Sequence, residues 1–154
     1  MAIVAPNVDE AVAGIADGST ILIGGFGTAG QPVELIDALI RSGAKDLTVV
    51  NNNAGNGRTG LAALFANGPV RKIICSFPRQ ADSYVFDELY RAGKVELELV
   101  PQGNMAERLR ADGSGIGSFF CPTASGHRLP KGRNSALSMA MTTCWSIRSR
   151  VMWP

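Results

Sequence analysis

Four glycines crowd the stretch Gly24-Gly25-Phe26-Gly27-Thr28-Ala29-Gly30-Gln31-Pro32, and few architectures accommodate such a run. It follows Thr20-Ile21-Leu22-Ile23, whose apolar, β-branched character predicts a buried strand. It precedes Val33-Glu34-Leu35-Ile36-Asp37-Ala38-Leu39-Ile40, whose apolar spacing predicts a helix. The run is therefore a strand-to-helix turn made almost wholly of backbone. Gly24, Gly25, Gly27 and Gly30 omit the Cβ atoms that would block close approach of a ligand, and Pro32 suits the first helical position. Unpaired N–H groups at such a helix start favour an anionic or carbonyl oxygen. A tight packing turn would account for one glycine; four within seven residues point to a ligand loop.

The rest of the chain repeats the strand-loop-helix unit. Asn7-Val8-Asp9-Glu10 carries a capping-box pattern and predicts a helix to about residue 16, closed by Asp17-Gly18. Ser42-Gly43 stops the helix that starts at Pro32, and Asp46-Leu47-Thr48-Val49-Val50 predicts a second buried strand. That strand ends in the polar loop Asn51-Asn52-Asn53-Ala54-Gly55-Asn56-Gly57, which leads to a short helix over about 59–66. A third strand, Lys72-Ile73-Ile74-Cys75-Ser76, runs into Phe77-Pro78-Arg79-Gln80 and a helix over about 82–92. Val95-Glu96-Leu97-Glu98-Leu99-Val100 alternates, as a strand near a sheet edge with one wet face does, so Glu96 and Glu98 read as solvated surface. Pro101-Gln102-Gly103 ends it, and a second capping box, Asn104-Met105-Ala106-Glu107, predicts a helix through about residue 111.

Strands alternating with helices on short connections predict an α/β fold with a largely parallel sheet and helices on both faces. Ligands in such sheets sit beyond the carboxyl ends of the strands. The glycine run, the asparagine run, Pro101-Gln102-Gly103 and Ser76-Phe77-Pro78-Arg79 all fall there, forming one polar rim.

Composition narrows the class. At 154 residues the chain buries enough surface to fold without disulfides, and Cys75, Cys121 and Cys144, odd in number and far apart, suit neither a disulfide framework nor a zinc site. A reducing cytoplasm and no metal are the expectation. Met1-Ala2-Ile3-Val4-Ala5-Pro6 lacks a basic n-region, and no apolar run approaches the roughly 18 residues of a membrane span. Residues 1–120 hold ten Lys/Arg against thirteen Asp/Glu, whereas 121–154 hold five Lys/Arg and no acid. Two compositions meet near Cys121, dividing an α/β domain at 1–120 from a basic tail.

Gly25-Phe26-Gly27-Thr28-Ala29-Gly30 also has the G-x-G-x-x-G spacing of a dinucleotide-binding module. That fold wants an acid about 20 residues on for the ribose hydroxyls, where this chain has Asn51, Asn52 and Asn53. The match is weakened accordingly.

The run from Asp17 to Pro32 resembles the signature of the A subunits of the 3-oxoacid CoA-transferases: an Asp-Gly pair, a short apolar run, Gly24-Gly25-Phe26 and Gly30-Gln31-Pro32. Asn52-Asn53-Ala54-Gly55 and Leu99-Val100-Pro101-Gln102-Gly103-Asn104-Met105-Ala106-Glu107-Arg108 resemble two further blocks of that family, and the likeness covers residues 1 to about 120. Cys75-Ser76-Phe77-Pro78-Arg79-Gln80-Ala81-Asp82-Ser83-Tyr84 is similar to the 3-oxoadipate enzymes of aromatic catabolism more than to the acetoacetate enzymes. The resemblance implies CoA transfer from succinyl-CoA to a 3-oxoacid through a glutamyl-CoA thioester, with coenzyme A thioester as substrate and no permanently bound cofactor. It places the nucleophilic glutamate on a partner B subunit, so this chain carries no catalytic nucleophile. Gln102 is implied as a supporting amide donor, Asn52 and Asn53 as its neighbours, and Gly24, Gly25, Phe26, Gly27 and Gly30 as lining of the cleft. Arg79 could pair with the distal carboxylate of a dicarboxylic substrate or be a surface arginine.

The likeness stops where the composition changes. Cys121-Pro122-Thr123-Ala124-Ser125-Gly126-His127-Arg128-Leu129-Pro130 departs from the family, and Met139-Ala140-Met141-Thr142-Thr143-Cys144-Trp145-Ser146-Ile147 matches no family block. Such a change is what translation in a shifted reading frame with an early stop produces, and it implies an A subunit truncated at its C-terminus. Arg128, Lys131, Arg133, Arg148 and Arg150 could form a basic arm, but no nucleic-acid module surrounds them. Neither nucleic acid nor a membrane is an expected partner; the tail reads as disordered or loosely docked.

Overall fold

The computed structural model describes residues 4–121 together with 135–136 and 141–145. In chain order the first four strands are β1 (Thr20–Leu22), β2 (Leu47–Val50), β3 (Val70–Cys75) and β4 (Glu96–Leu99), and they pair in that same order, every pair parallel. Register aligns Ile21, Val49, Ile73 and Leu97 in one row and Thr20, Thr48, Lys72 and Glu96 in the next. Because side chains alternate across a strand, these rows lie on opposite faces. The β4 strand is an edge, as its alternation predicts.

Helices α2 (Val33–Ser42), α3 (Leu61–Ala66) and α4 (Tyr84–Arg91) make the crossovers. Right-handed connections that always step the same way put all three on one face, where Ile36, Leu39, Leu61, Leu64, Phe65 and Phe86 join Val49 and Ile73 in the core. Helix α1 (Val8–Val12) packs beside α2, and Asp9 pairs with Arg41 across the two at 2.6 Å. The opposite face is covered unevenly. Arg108 of α5 (Gln102–Gly113) reaches Glu98 there at 2.8 Å, whereas Leu22 is exposed. Helices thus lie on both faces, the crossovers α2, α3 and α4 on one, with α1 beside α2, and α5 on the edge of the other.

Several boundaries differ from expectation for local reasons. The Asn7 side chain accepts from Glu10 N as the capping box requires, but α1 ends at Val12, since Gly14 disfavours a helix interior and Ile15 turns toward the core. Pro32, with ψ 72°, stands outside α2 as its N-cap, so Val33 takes the first helical position. The second capping box does not form. Helix α5 begins at Gln102, and Asn104 is buried inside its first turn instead of capping it.

Beyond α5 an antiparallel sheet joins β5 (Ser118–Cys121), β6 (Ser135–Ala136) and β7 (Met141–Trp145) in the order β5-β7-β6. Residues 135–136 and 141–145 are therefore paired with the strand that precedes them, and the rest of 122–154 lies outside the described residues. The basic positions Arg128, Lys131, Arg133, Arg148 and Arg150 lie outside the described residues.

Candidate functional site

The glycine, asparagine and Ser76–Gln80 loops leave β1, β2 and β3 side by side at their carboxyl ends, and side-chain amides knit them together. Asn51 Nδ2 donates to the carbonyls of Ile23 (2.6 Å) and Gly24 (3.2 Å), while its Oδ1 accepts from Asn53 N at 2.9 Å. Asn53 accepts from Gly55 N at 2.8 Å and extends Nδ2 to the Gly27 carbonyl at 3.5 Å. On the other flank, the Asn52 carbonyl accepts from Ser76 N and Phe77 N, and its Oδ1 accepts from Ser76 Oγ at 2.7 Å. Buried Ser83 donates to the Gly55 carbonyl at 2.9 Å and accepts from Gln80 N at 2.9 Å. Three loops behave as one body.

The site residues expected from sequence separate on this geometry. Gly25, at φ 114°, has no room for a side chain: a Cβ would stand 2.8 Å from Gln31 Cγ and 3.1 Å from the Ala29 carbonyl. Gly24 has open space and an ordinary φ, and Gly30 has a positive φ but no crowding. Phe26 is 63% exposed at the loop tip, and Phe77 is exposed on the neighbouring loop. Asn53 is fully buried with both ends of its amide committed, so it shapes the loops. Asn52 differs: its Nδ2 is enclosed yet has no hydrogen-bond partner among the described residues, a donor aimed at nothing in this part of the chain.

Gln102 is exposed as the first residue of α5. It follows β4, while the glycine loop follows β1 at the opposite edge of the sheet, three strand spacings or about 14 Å away. The strands that carry these two parts of the expected site are not neighbours. Arg79 is exposed and pairs with Asp87 on α4. Its guanidinium is already engaged with a carboxylate of this chain.

Among the described residues, no activated nucleophile lines the rim. Burial pushes the Cys75 thiol up to about 12, against a weaker opposing hydrogen bond with the Phe77 backbone. Glu98 is not the solvated residue its alternation suggests. Its side chain is only 20% exposed and meets Arg108 at 2.8 Å and Lys72 at 3.0 Å. Register places Lys72 opposite Glu96 on the same face as Glu98, so β3 and α5 close around the carboxylate. Burial raises the Glu98 pKa, but hydrogen bonds from Arg108 and Lys72 together outweigh it and hold the carboxyl below its ordinary value.

The roles of two rim residues escaped sequence reasoning. Asn51, placed where a dinucleotide fold keeps its ribose acid, is buried beneath the glycine loop and faces carbonyls. Among the described residues the strand order likewise lacks that fold's switch point, because β1 is at an edge rather than between β2 and β4. Gln31 joins the Gly27 carbonyl (2.6 Å) to Leu61 N (3.0 Å) and so ties the glycine loop to the start of α3. Its spacing of four from Gly27 was the available signal, though such a spacing has many other uses.

The profile described as Coenzyme A transferase matches residues 5–143. The chain belongs to the coenzyme A transferase family. The resemblance carried by the glycine loop, the asparagine loop and the block at Leu99 to Arg108 is thereby borne out. The chain is 67% identical over 129 residues to the A subunit of the 3-oxoadipate CoA-transferase of Pseudomonas putida, a match covering 84% of this chain and 56% of that protein. It is 46% identical over 123 residues to the mitochondrial succinyl-CoA:3-ketoacid coenzyme A transferase 2 of Homo sapiens, covering 80% of this chain and 23% of that one. The crystal structure of glutaconate coenzyme A-transferase from Acidaminococcus fermentans superposes with a TM-score of 0.73 at 18% identity, over 90% of this chain and 51% of that one, a likeness of fold. The chain thus spans little more than half the length of the Pseudomonas putida protein it matches.

Proposed function

We propose that this chain supplies the A-subunit side of a CoA-transferase that moves CoA from succinyl-CoA to a 3-oxoacid, 3-oxoadipate, acting with a separate B subunit. The observation that carries this is the 67% identity to the A subunit of a 3-oxoadipate CoA-transferase, well above the 46% to the 3-ketoacid enzyme. In this reading the thioester carbonyl is attacked by a glutamate of the B subunit, which becomes a glutamyl-CoA thioester and then passes CoA to the second carboxylic acid.

This chain's part is to hold oxygen atoms in place. The rim offers backbone N–H groups of the glycine loop and the exposed Gln102 amide, with the enclosed Asn52 Nδ2, without a partner among the described residues, just beneath the surface. Neutral donors suit a reaction whose carbonyl oxygen gains negative charge, and they offer no nucleophile to compete with the glutamate. A ligand as long as acyl-CoA can bridge the separation between Gln102 and the glycine loop. Arg79 contacts a substrate carboxylate only by sharing its guanidinium with Asp87.

Co-purification with a B subunit, followed by an assay of CoA transfer from succinyl-CoA to 3-oxoadipate, tests the reading. An active complex that loses rate with Gln102→Ala supports it. Absence of transfer in a stable complex refutes it.

A further inference from the structure

The tip of the glycine loop is a two-residue turn. Phe26 N donates to the Ala29 carbonyl at 3.0 Å and Ala29 N to the Phe26 carbonyl at 3.2 Å, leaving Gly27 and Thr28 at the centre. Gly27 has φ 65°, and Thr28 has no positive φ. A positive φ at the first central position alone is the type II′ pattern; type I′ needs it at both. The two types differ in how the middle peptide, Gly27–Thr28, is turned.

Whatever holds the Gly27 carbonyl therefore selects the turn. That carbonyl accepts from Gln31 Nε2 at 2.6 Å and, more weakly, from Asn53 Nδ2 at 3.5 Å. Gln31 has little freedom to do otherwise. Leu61 N donates to its Oε1 at 3.0 Å, which directs Nε2 to the Gly27 side, and a Cβ on Gly60 would overlap that Oε1. In a trans peptide the C=O and the following N–H point in opposite directions. With the Gly27 carbonyl drawn inward to Gln31, the Thr28 N–H faces outward from an exposed residue and has no hydrogen bond among the described residues.

We propose that Gln31 is a positioning residue: by fixing the Gly27–Thr28 peptide it presents the Thr28 N–H to an acyl or carboxylate oxygen of the bound substrate. The donor role rests on the CoA-transferase reading; the brace does not.

The test uses the full chain labelled with 15N and the variant Gln31→Glu, whose carboxylate keeps the acceptor for Leu61 N but sets an oxygen against the Gly27 carbonyl. The Thr28 amide resonance is expected to shift in the ligand-free variant; an unmoved Thr28 amide overturns the brace. Succinyl-CoA added to the chain with its B subunit is expected to move Thr28 in the native protein and less than half as far in Gln31→Glu. Ligand shifts that spare Thr28 overturn the donor role. In the same complex, Gln31→Glu is expected to lower kcat about tenfold to a hundredfold with KM within about threefold, since a misplaced donor weakens transition-state contacts more than ground-state ones. Thr28→Pro deletes the N–H and leaves Gln31 untouched, so wild-type transfer by that variant overturns the donor role even if Gln31→Glu fails to fold. Absence of succinyl-CoA binding by the native complex overturns the transferase reading and the donor role together, while the ligand-free spectra still decide the brace.

Discussion

Asn51 Nδ2 donates to the carbonyl of Ile23 at 2.6 Å, so the loop after the second strand is anchored beneath the loop after the first. The same side chain also serves Gly24 and Asn53, and all of it is buried. Asn51→Ala removes these bonds and leaves the buried Ile23 carbonyl without this donor and the buried Asn53 N–H without this acceptor, an expected loss of roughly 2–3 kcal/mol. Asn51→Asp should be worse near neutral pH, because a carboxylate would face two carbonyl oxygens. Urea unfolding midpoints check both, and native-like stability of either variant refutes the assignment.

Gly24 and Gly25 are adjacent but unequal. Gly24→Ala meets nothing within 4 Å and is expected to change stability by less than about 0.5 kcal/mol. Gly25→Ala combines a φ of 114° with contacts at 2.8 and 3.1 Å, and is expected to cost on the order of 2 kcal/mol or more. Thermal unfolding of the pair decides; equal shifts would mean the loop is not held as described.

The Glu98 network makes stability depend on acid. The folded carboxyl titrates below its ordinary 4.5, so its contribution is complete above that value and is lost as pH falls through the lower folded pKa. Lys72 behaves in the opposite sense. Burial lowers its pKa, but hydrogen bonds to Glu98 and Glu96 raise it further, above 10.5 overall, so its contribution is complete below that value and fades as pH rises through the folded pKa. Glu98→Gln should therefore lose less stability than the native chain as pH is lowered from about 4.5, measured by denaturant unfolding at stepped pH. Parallel curves for the two proteins would show that the network carries no acid dependence.

Cys75 should be silent to thiol reagents in the native state. With its pKa pushed up to about 12 and no exposed surface, the thiolate is about one part in ten thousand at pH 8 before access is considered. Peptide mapping after alkylation is expected to show Cys75 labelled only at the rate of unfolding. Rapid labelling of the folded chain would place the thiol on the surface instead.

Much of the architecture was legible because it rests on short-range pattern. Alternating strands and helices, the edge position of the strand at Glu96–Leu99 and the glycine loop between β1 and α2 all follow from residue period and turn chemistry. Errors gathered where a residue has two local uses. Asn104 and Glu107 have the spacing of a capping box, yet burial of Asn104 within the first turn of α5 won, and the helix began at Gln102. Glu98 alternates like a surface residue, yet Lys72 and Arg108 arrive from β3 and α5 to enclose it.

The site shows the same division. Motif and spacing point to the glycine and asparagine loops and assign them to one rim, because strands in sequential parallel order must end on the same side. Which amide does what was not written in those motifs. Asn53 is spent inside the rim, Asn52 keeps a donor unanswered among the described residues, and Gln31, 30 residues from Leu61, fixes the turn at Gly27. Local order follows from neighbours along the chain, whose preferences a reader can sum. A side-chain hydrogen bond between loops depends on strand spacing, register and the space left by an absent Cβ, which exist once the sheet has assembled.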